Sequence, residues 1–475
     1  MSKSKNLGVS SREENLSQWY TDTVLKAGLV DYAPVRGSMV IKPHGYAIWE
    51  EIQKELDKRF KETGHQNAYF PVLIPESFLK KEAEHVEGFA PEVAWVETAG
   101  SEKLEERLAI RPTSEAIICH MYSKWINGYR DLPVLINQWA NVMRWEKTTR
   151  PFLRTTEFLW QEGHTVHATK EEAMEETLSI LEIYRSTVEG LLAVPLVYGK
   201  KSESEKFAGA VETHTIETIL PDGQALQMGT SHYLGTNFAK AFDIWFQDKD
   251  EKRKHPHQTS WGVSTRLIGG LVLTHGDDKG LILPPKVSPV QIVIIPIAAD
   301  KNEKVNETGE ELFKTLSKKG FRTTYDNREN LRPGFKFNDW ELKGVPIRIE
   351  IGPRDVEENS CVIARRDDGS KKKINTEDVF EVCKFLIEDI QKCLLENAKK
   401  KMDSRITEGD KIDEIKNAID SKLAIWIPWN PENKELEAEI KEKTKATIRC
   451  FKKSDESIAA DGSKTKIKAL FSRAW

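Results

Sequence analysis

The chain is 475 residues long, with 39% hydrophobic and 31% charged residues and a formal net charge of -4. That length exceeds one ordinary core and predicts two or three domains, while the mild acidity excludes a protein that coats nucleic acid through bulk charge and leaves room for a local basic patch. The five cysteines, Cys119, Cys361, Cys383, Cys393 and Cys450, form no C-x-x-C pair, no run of eighteen apolar residues occurs and the N-terminus lacks an apolar signal region, so a cytoplasmic, reduced, non-membrane protein is expected.

Ile48, Ile52, Leu56 and Phe60 recur four apart between Pro43 and Gly64, which predicts a helix over 43–64. "AYFPVLIP" (68–75) reads as a strand, and Pro71 and Pro75, which donate no ladder hydrogen bonds, put it at an edge or interface. "RLAIRPTSEA" (107–116) places Thr113 and Glu115 in a loop entering a helix, with Ser114 or Thr113 able to cap it.

In "MRWEKTTRPFLRTTEFLWQEGH" (143–164) a strand presents Arg144 and Glu146 on one face and Trp145 on the other. A loop over 147–152 then delivers Arg154, and the returning strand carries Thr156, Phe158, Trp160, Glu162 and His164. Two arginines on the arms of a hairpin, with an aromatic between them, match a polyphosphate and a stacked base. A salt-laced surface hairpin fits the same residues. His164 and His167 have a spacing seen in metal pairs, but three apart on a strand they face opposite ways, so a neutral, positioned ring is expected.

Further along, "AVETHTIETIL" (210–220) predicts a half-exposed antiparallel strand. "QMGTSHYLG" (227–235) gathers Gln227, Thr230 and His232. "GGLVLTHG" (269–276) reads as β-rich, though its glycines, behind Arg266, also fit the opening of a helix. No P-loop or dinucleotide fingerprint is present.

Near 284 the proline-rich "LPPKVSPV" marks a joint. The apolar run "VQIVIIPIA" (290–298) predicts a buried parallel strand, followed by a helix (303–319), strands at 321–325 and 345–352, and an amphipathic helix (376–397). Beyond "NAKKKMD" a small unit offers a strand (423–429), a helix (431–445), and strands in "TIRCF" and "KIKALFSRAW" about the turn "DGSK".

Nearly end to end, these stretches resemble the class II aminoacyl-tRNA synthetases, and among them the prolyl-tRNA synthetases of the archaeal and eukaryote-like form. The first helix with "AYFPVLIPES" is similar to motif 1, which puts Pro71 at a dimer interface. "VMRWEKTTRPFLRTTEFLWQEGHT" is similar to motif 2 and "SWGVSTRLIGGLVLTHGDDKGLILPP" to motif 3. "RPTSE" resembles the loop that receives the amine of proline, and "WELKGVPIRIEIGPRD" (340–355) the anticodon-binding domain.

The resemblance implies an α/β (α+β) architecture. A class II catalytic domain on an antiparallel sheet would span 1–284, an α/β anticodon-binding domain 285–397, and a small C-terminal α+β domain 398–475. It implies activation of L-proline by ATP with Mg2+, transfer to tRNA(Pro), and a homodimer. Arg144 would bridge the α-phosphate and the carboxylate, and Arg154 and Arg266 would hold the outer phosphates. Phe158 would stack on adenine, and Glu146 would orient the adenine side or fix Arg144. Thr155, Gln227, Thr230 and Ser264 would line the ATP site, with Gln227 a candidate magnesium contact. Thr113 and Glu115 would bind the cationic amine, walled by Trp160, Glu162, His164 and His232. Glu341, Arg348, Arg354 and Asp355 are candidates for contacts to anticodon guanines, against a competing reading as a sheet-face ion-pair network.

One feature departs from the family pattern, and a second separates the chain from the bacterial-type enzymes. Where relatives carry two zinc-binding cysteine pairs, this chain reads "IPWNPENKELEAEI" and "ESIAADGSK". No zinc is therefore expected, and the fold must rest on Trp426, Trp429, Ile440, Ile448, Leu470 and Phe471; Trp475 is a candidate to dock on the catalytic domain, as the terminal aromatic of relatives does. Fewer than one hundred residues separate motifs 2 and 3, too few for a large editing insertion, so a separate trans-editing factor is expected. "RPTSE" with "FLWQEGHT" speaks against a threonyl- or glycyl-specific enzyme. Retention of Arg144, Arg154 and Arg266 speaks against a non-catalytic tRNA sensor.

Overall fold

The structure, a computed structural model, describes residues 9–85 and 92–475. The first eight residues, part of the segment read for a signal region, lie outside the described residues. Helix α1 (Leu16–Lys26) and the ribbon β1 (Val30–Tyr32) and β2 (Met39–Ile41) lead into α2 (Pro43–Glu62), where the four-residue spacing buries Ile48, Ile52, Leu56 and Phe60. Pro43 sits in its first turn, and Gly64, at φ +89°, takes the left-handed conformation that ends it.

The stretch 68–75 is not one strand. β3 (Gln66–Asn67) edges the main sheet, whereas β4 (Leu73–Pro75) edges a three-stranded sheet with β5 (Trp95–Ala99) and β6 (Glu102–Ile110). Pro71 falls in the gap between them, where no ladder runs. α3 (Glu76–His85) follows β4.

After α4 (Glu115–Trp125), β7 (Val134–Met143) and β8 (Glu157–His167) form a long hairpin in unbroken register from Val134↔Val166 to Met143↔Glu157. Helix α5 (Lys170–Leu192) starts with a reciprocal Thr169–Glu172 capping box and packs across the sheet. β9 (Val197–Lys200), β10 (Glu212–Ile219) and β11 (Ala225–Gly235) continue antiparallel. After a short excursion through α6 (Asn237–Ala241), β12 (Phe246–Gln247) and β13 (Arg253–Lys254), β14 (His257–Ser264) inserts between β11 and β8.

Two expectations change here. β10 is paired on both edges and buried from Thr215 onward, not half-exposed: α5 packs against it, and Arg449 from the C-terminal strands reaches its Glu217. "GGLVLTHG" belongs to a helix, α7 (Arg266–His275), apolar nearly all round because it is buried nearly all round. Its glycines permit close approach: a Cβ on Gly269 or Gly270 would meet Leu153 or Met228 at 2.4 and 2.5 Å.

The next unit is a five-stranded sheet. β15 (Ile292–Pro296), buried along its whole length, runs parallel to β16 (Thr323–Tyr325) and β17 (Ile347–Ile351), with β18 (Ser360–Arg365) and β19 (Lys371–Asn375) added antiparallel. Helices α8 (Glu303–Lys318), α9 (Pro333–Leu342), α10 (Pro353–Glu357) and α11 (Val379–Asp403) complete it. An Arg366 fork to Asp277, at 2.9 and 2.5 Å, ties this unit to the end of α7.

α11 runs on past 397 to Asp403, then β20 (Ile406–Glu408), α12 (Ile412–Asp420), β21 (Ala424–Pro428), α13 (Lys434–Thr444), β22 (Thr447–Ile458) and β23 (Lys464–Ser472) follow. β20 and α12 had no counterpart in the sequence reading. These strands extend the main sheet, because β22 meets β9 at Phe451 and Lys200. Trp426, Trp429, Ile440, Ile448, Leu470 and Phe471 are all buried, as expected. Trp475 docks on the first unit: its backbone N–H donates to the Ala225 carbonyl at 3.0 Å, its ring meets Tyr20 edge-on, and Arg150 lies over it. Among the described residues, no helix is long and apolar enough to cross a membrane.

Candidate active site

The two-residue period of β8 puts Trp160, Glu162 and His164 on one face, and register places Ser264, Gly262 and Ser260 of β14 beside them. With Gln227, Thr230 and His232 of β11 they line a cavity of about 290 Å³. Thr113 and Glu115, at the start of α4, join its buried end, and Arg144, Phe158 and Arg266 line it as well. Neither Thr113 nor Ser114 caps α4 through its side chain. The Ser114 hydroxyl donates to Glu162 at 2.5 Å instead, and that of Thr113 donates to Glu115.

β7 ends at Met143, so Arg144, Trp145 and Glu146 open the loop instead of alternating across a strand. A tight turn over 150–154 then presents Arg154. Arg144 donates from Nε to the Pro112 carbonyl at 3.0 Å, and its guanidinium lies 5.5 Å from the ring centroids of both Phe158 and Trp160. Arg266 donates to the Leu153 carbonyl at 3.1 Å. Arg154 pairs with Glu146 at 2.8 Å and stays largely exposed. A side hollow of about 50 Å³ is lined by all three arginines together with Glu146, Thr155, Phe158 and Ser264.

Charge is ordered along the cavity. Burial alone would raise the Glu162 carboxyl, but hydrogen bonds from His164, Ser114 and Gln138 outweigh it and hold it below the usual range. For His164 burial works the other way, and Glu162, at 3.0 Å, with Glu115 raises the imidazole. Burial lowers the His167 ring, in keeping with a neutral imidazole, whereas His164 is shifted the other way. Toward the opposite end, burial and then the charges of Arg144 and Arg154 push Arg266 down to about 10. Arg144, Arg154 and Arg266 thus crowd the side hollow, while Glu115 and Glu162 lie buried in the lining of the larger cavity, close enough to Arg144 to support its charge. The buried Trp160 indole N–H and Ser260 hydroxyl, both in the cavity lining, have no hydrogen-bond partner. Such groups await a ligand or water.

Every residue expected at the proline and ATP sites therefore reaches one of these two adjoining hollows. Lys201, Glu205, Lys206, Phe207 and Thr213 line the cavity too and escaped the sequence reading, because the run "KSESEKF" has the composition of a solvated loop. The four anticodon candidates line neither of these hollows. Glu341 pairs with Lys279 at 3.0 Å, Arg348 with Glu350 at 2.9 Å, Asp355 accepts from the Gly352 N–H, and Arg354 is exposed. Pro71 is exposed beside Tyr69 and Leu73. A roomier hollow of about 880 Å³ shares no lining residue with the cavity described; ordered charge, not size, distinguishes the site.

Residues 95–275 match the tRNA synthetase class II core domain (G, H, P, S and T), and residues 291–386 match the anticodon binding domain. The chain is 56% identical over 454 residues to a proline--tRNA ligase of Alkaliphilus oremlandii, covering 95% of this chain and 93% of that one. The chain belongs to the proline--tRNA ligase family of class II aminoacyl-tRNA synthetases. Proline--tRNA ligase 2 of Clostridioides difficile is 54% identical, with 95% and 93% covered, and a proline--tRNA ligase of Rubrobacter xylanophilus is 53% identical with 98% of both chains covered. The family's class II core accounts for the antiparallel β7–β14 platform, and its anticodon-binding fold for the five-stranded sheet.

Two other histidines generate a pH prediction. Burial, then the charges of Lys201, His214 and His164, push His232 from 6.5 down to about 3, and burial pushes His275 down to about 4. Below pH 6.5 the unfolded rings take up protons that the folded ones refuse. These two rings therefore stabilise the fold fully above that value, and each loses about 1.4 kcal/mol per pH unit as pH falls toward about 4. His164, with its raised value, contributes the opposite slope on the alkaline side. The thermal midpoint is expected to drop steadily over this acid window and to drop less in His232→Asn; equal slopes in the two proteins would contradict the assignment.

Proposed function

We propose that this chain activates L-proline with ATP and loads it onto tRNA(Pro). The observation that supports this reading is a cavity lined by two buried carboxylates, Glu115 and Glu162, that adjoins a hollow lined by Arg144, Arg154 and Arg266, with Arg144 and Arg266 common to both. A zwitterionic amino acid and a triphosphate meet those two hollows in the right order. The carboxylate oxygen of proline attacks the α-phosphorus, the bond from that phosphorus to the oxygen bridging to the β-phosphate breaks, and pyrophosphate leaves. A ribose hydroxyl at the 3' end of tRNA then attacks the carbonyl carbon, and AMP leaves.

A carboxylate is already a nucleophile, so the protein contributes position and charge more than a general base. Arg144 bridges the carboxylate and the α-phosphate, and Arg154 and Arg266 take the outer phosphates. Phe158 stacks on adenine, and Glu146 holds Arg154 between turnovers. Thr113 and Glu115 receive the secondary ammonium, while Trp160, Glu162, His164 and His232 wall the ring. ATP arrives as its magnesium salt, and Gln227 would be a protein contact to that ion, which would neutralise phosphate charge.

Finer readings go with this one. Units 1–284, 285–397 and 398–475 divide catalysis, anticodon reading and support, the second through Glu341, Arg348, Arg354 and Asp355. The chain works in the cytoplasm as a homodimer about Pro71, a reading supported by the exposed apolar side chains of Tyr69, Leu73 and Trp125 nearby. It is of the form without an editing insertion, the feature it shares with archaeal and eukaryote-like enzymes, although the relatives quoted are from bacteria. The span between β8 and β14 supports this, since α5 and β9 to β11 are integral to the main sheet and its covering helix. A trans-editing factor clears alanine. The C-terminal unit needs no zinc, since Cys450 is its one cysteine and lies buried.

Arg144→Ala is expected to lower proline-dependent ATP–pyrophosphate exchange by about 10²- to 10³-fold while tRNA binding persists; normal exchange would contradict the role. Dialysis against a chelator, with magnesium restored, should leave exchange intact, and alanyl-tRNA(Pro) mixed with the chain alone should stay charged. Lost exchange would refute the zinc-free reading, and rapid deacylation the absence of editing.

A further inference from the structure

The segment between β9 and β10 supplies Lys201, Glu205, Lys206 and Phe207 to the cavity, yet much of what holds it belongs to the C-terminal unit. On α13, the Glu437 carboxylate accepts from the hydroxyls of Ser202 at 2.6 Å and Ser204 at 2.5 Å. One turn further, Lys441 donates to Glu205 at 2.9 Å. On β22, Arg449 forks onto Glu217 at 2.7 and 3.1 Å, and its remaining nitrogen lies 3.9 Å from Glu205. Lys201 meets the same Glu217 at 3.0 Å. Glu217, Lys201, Arg449 and Glu437 are all buried. A buried carboxylate shared by two cations has little freedom, because losing either partner leaves an uncompensated charge.

The chain of contacts ends at the cavity wall. Phe207 donates its N–H to the Thr213 hydroxyl at 2.9 Å, Thr213 is hydrogen-bonded to His232 at 2.9 Å, and the Phe207 and His232 rings lie 4.7 Å apart. His232 lies in the wall assigned above to the pyrrolidine ring. By contrast, among the described residues no lining residue of the three-arginine hollow is hydrogen-bonded or ion-paired to α13 or β22, and Arg266 senses the clamp only through the charge of Glu217.

We propose that Glu437, Lys441 and Arg449 are positioning residues for catalysis, holding segment 201–207 against the amino-acid end of the cavity. The C-terminal unit thereby acts on the reaction through the loop it clamps, and touches no substrate. This inference rests on the reading that the cavity takes proline. It predicts that damage to the clamp loosens the amino-acid end and spares the nucleotide end.

The test measures KM for proline and for ATP in exchange, with active sites counted by the burst of adenylate, in the full chain and in Arg449→Met, Arg449→Lys, Glu437→Ala and Lys441→Ala. Arg449→Met and Glu437→Ala are expected to raise the KM for proline about tenfold with the KM for ATP within about twofold, and Arg449→Lys to recover most of the loss. Lys441→Ala breaks a pair whose lysine is half open to solvent and gives a smaller rise of the same kind, which keeps the test available if Arg449→Met fails to fold. Fewer active sites with both KM values unchanged, or an equal rise in both, would overturn the proposal. Absence of proline-dependent exchange in the unaltered chain would overturn the underlying reading as well, whereas normal exchange there with unmoved variants overturns this inference alone.

Discussion

Arg144, Arg154 and Arg266 repel one another, and the fold holds them together all the same. Two unit charges about 6 Å apart oppose each other by roughly 3 kcal/mol at an effective dielectric constant of about 20, and Arg266 is depressed first by burial and then by the charges of Arg144 and Arg154. Main-chain carbonyls restrain two of the three, Pro112 for Arg144 and Leu153 for Arg266. Those carbonyls sit where they do because β7 and β8 hold their register and α7 packs its glycines against Leu153. Only an anion relieves the arrangement fully. The free protein offers Glu146 to Arg154, and because the arginine is largely exposed the pair is weak.

The opposite end of the cavity is built by the same strands with the opposite sign. Glu162 is kept ionised by His164, Ser114 and Gln138, one donor from its own strand, one from the start of α4 and one from β7. Its two-residue offset from His164 is what lets a strand place a carboxylate and its imidazole partner side by side. The polarity that results along a single cleft explains why neither end is informative alone. The C-terminal strands then extend the same sheet, so that a unit remote in sequence contacts a segment that walls the site.

Much of this was legible in the residues. The helix expected over 43–64, the buried strand expected over 290–298 and the elements β21, α13, β22 and β23 of the last unit follow from spacing and turn chemistry, and the site residues come from four stretches whose order resembles a known family. The errors have physical causes. "GGLVLTHG" is apolar on every side, and a short buried run has the same appearance in a helix and in a strand. The alternation in "AVETHTIETIL" is real, but the polar member Glu217 is buried because Arg449 and Lys201 neutralise it, a contact more than two hundred residues away in the first case. The segment 201–207 was missed for the same reason: its serines and charges are surface-like by composition, and only the tertiary structure supplies Glu437 and Lys441 as their partners.

On the proposed reading, the cavity holding Glu115 and Glu162 takes an amine and the adjoining hollow holding Arg144, Arg154 and Arg266 takes a phosphate. Calorimetric titration with a non-hydrolysable prolyl-adenylate mimic tests it most directly. The account predicts one site per chain, with affinity at least about 100-fold tighter than proline or AMP alone, because one ligand then spans both ends. A mimic that binds no better than its separate halves, or releases no heat at all, would contradict it.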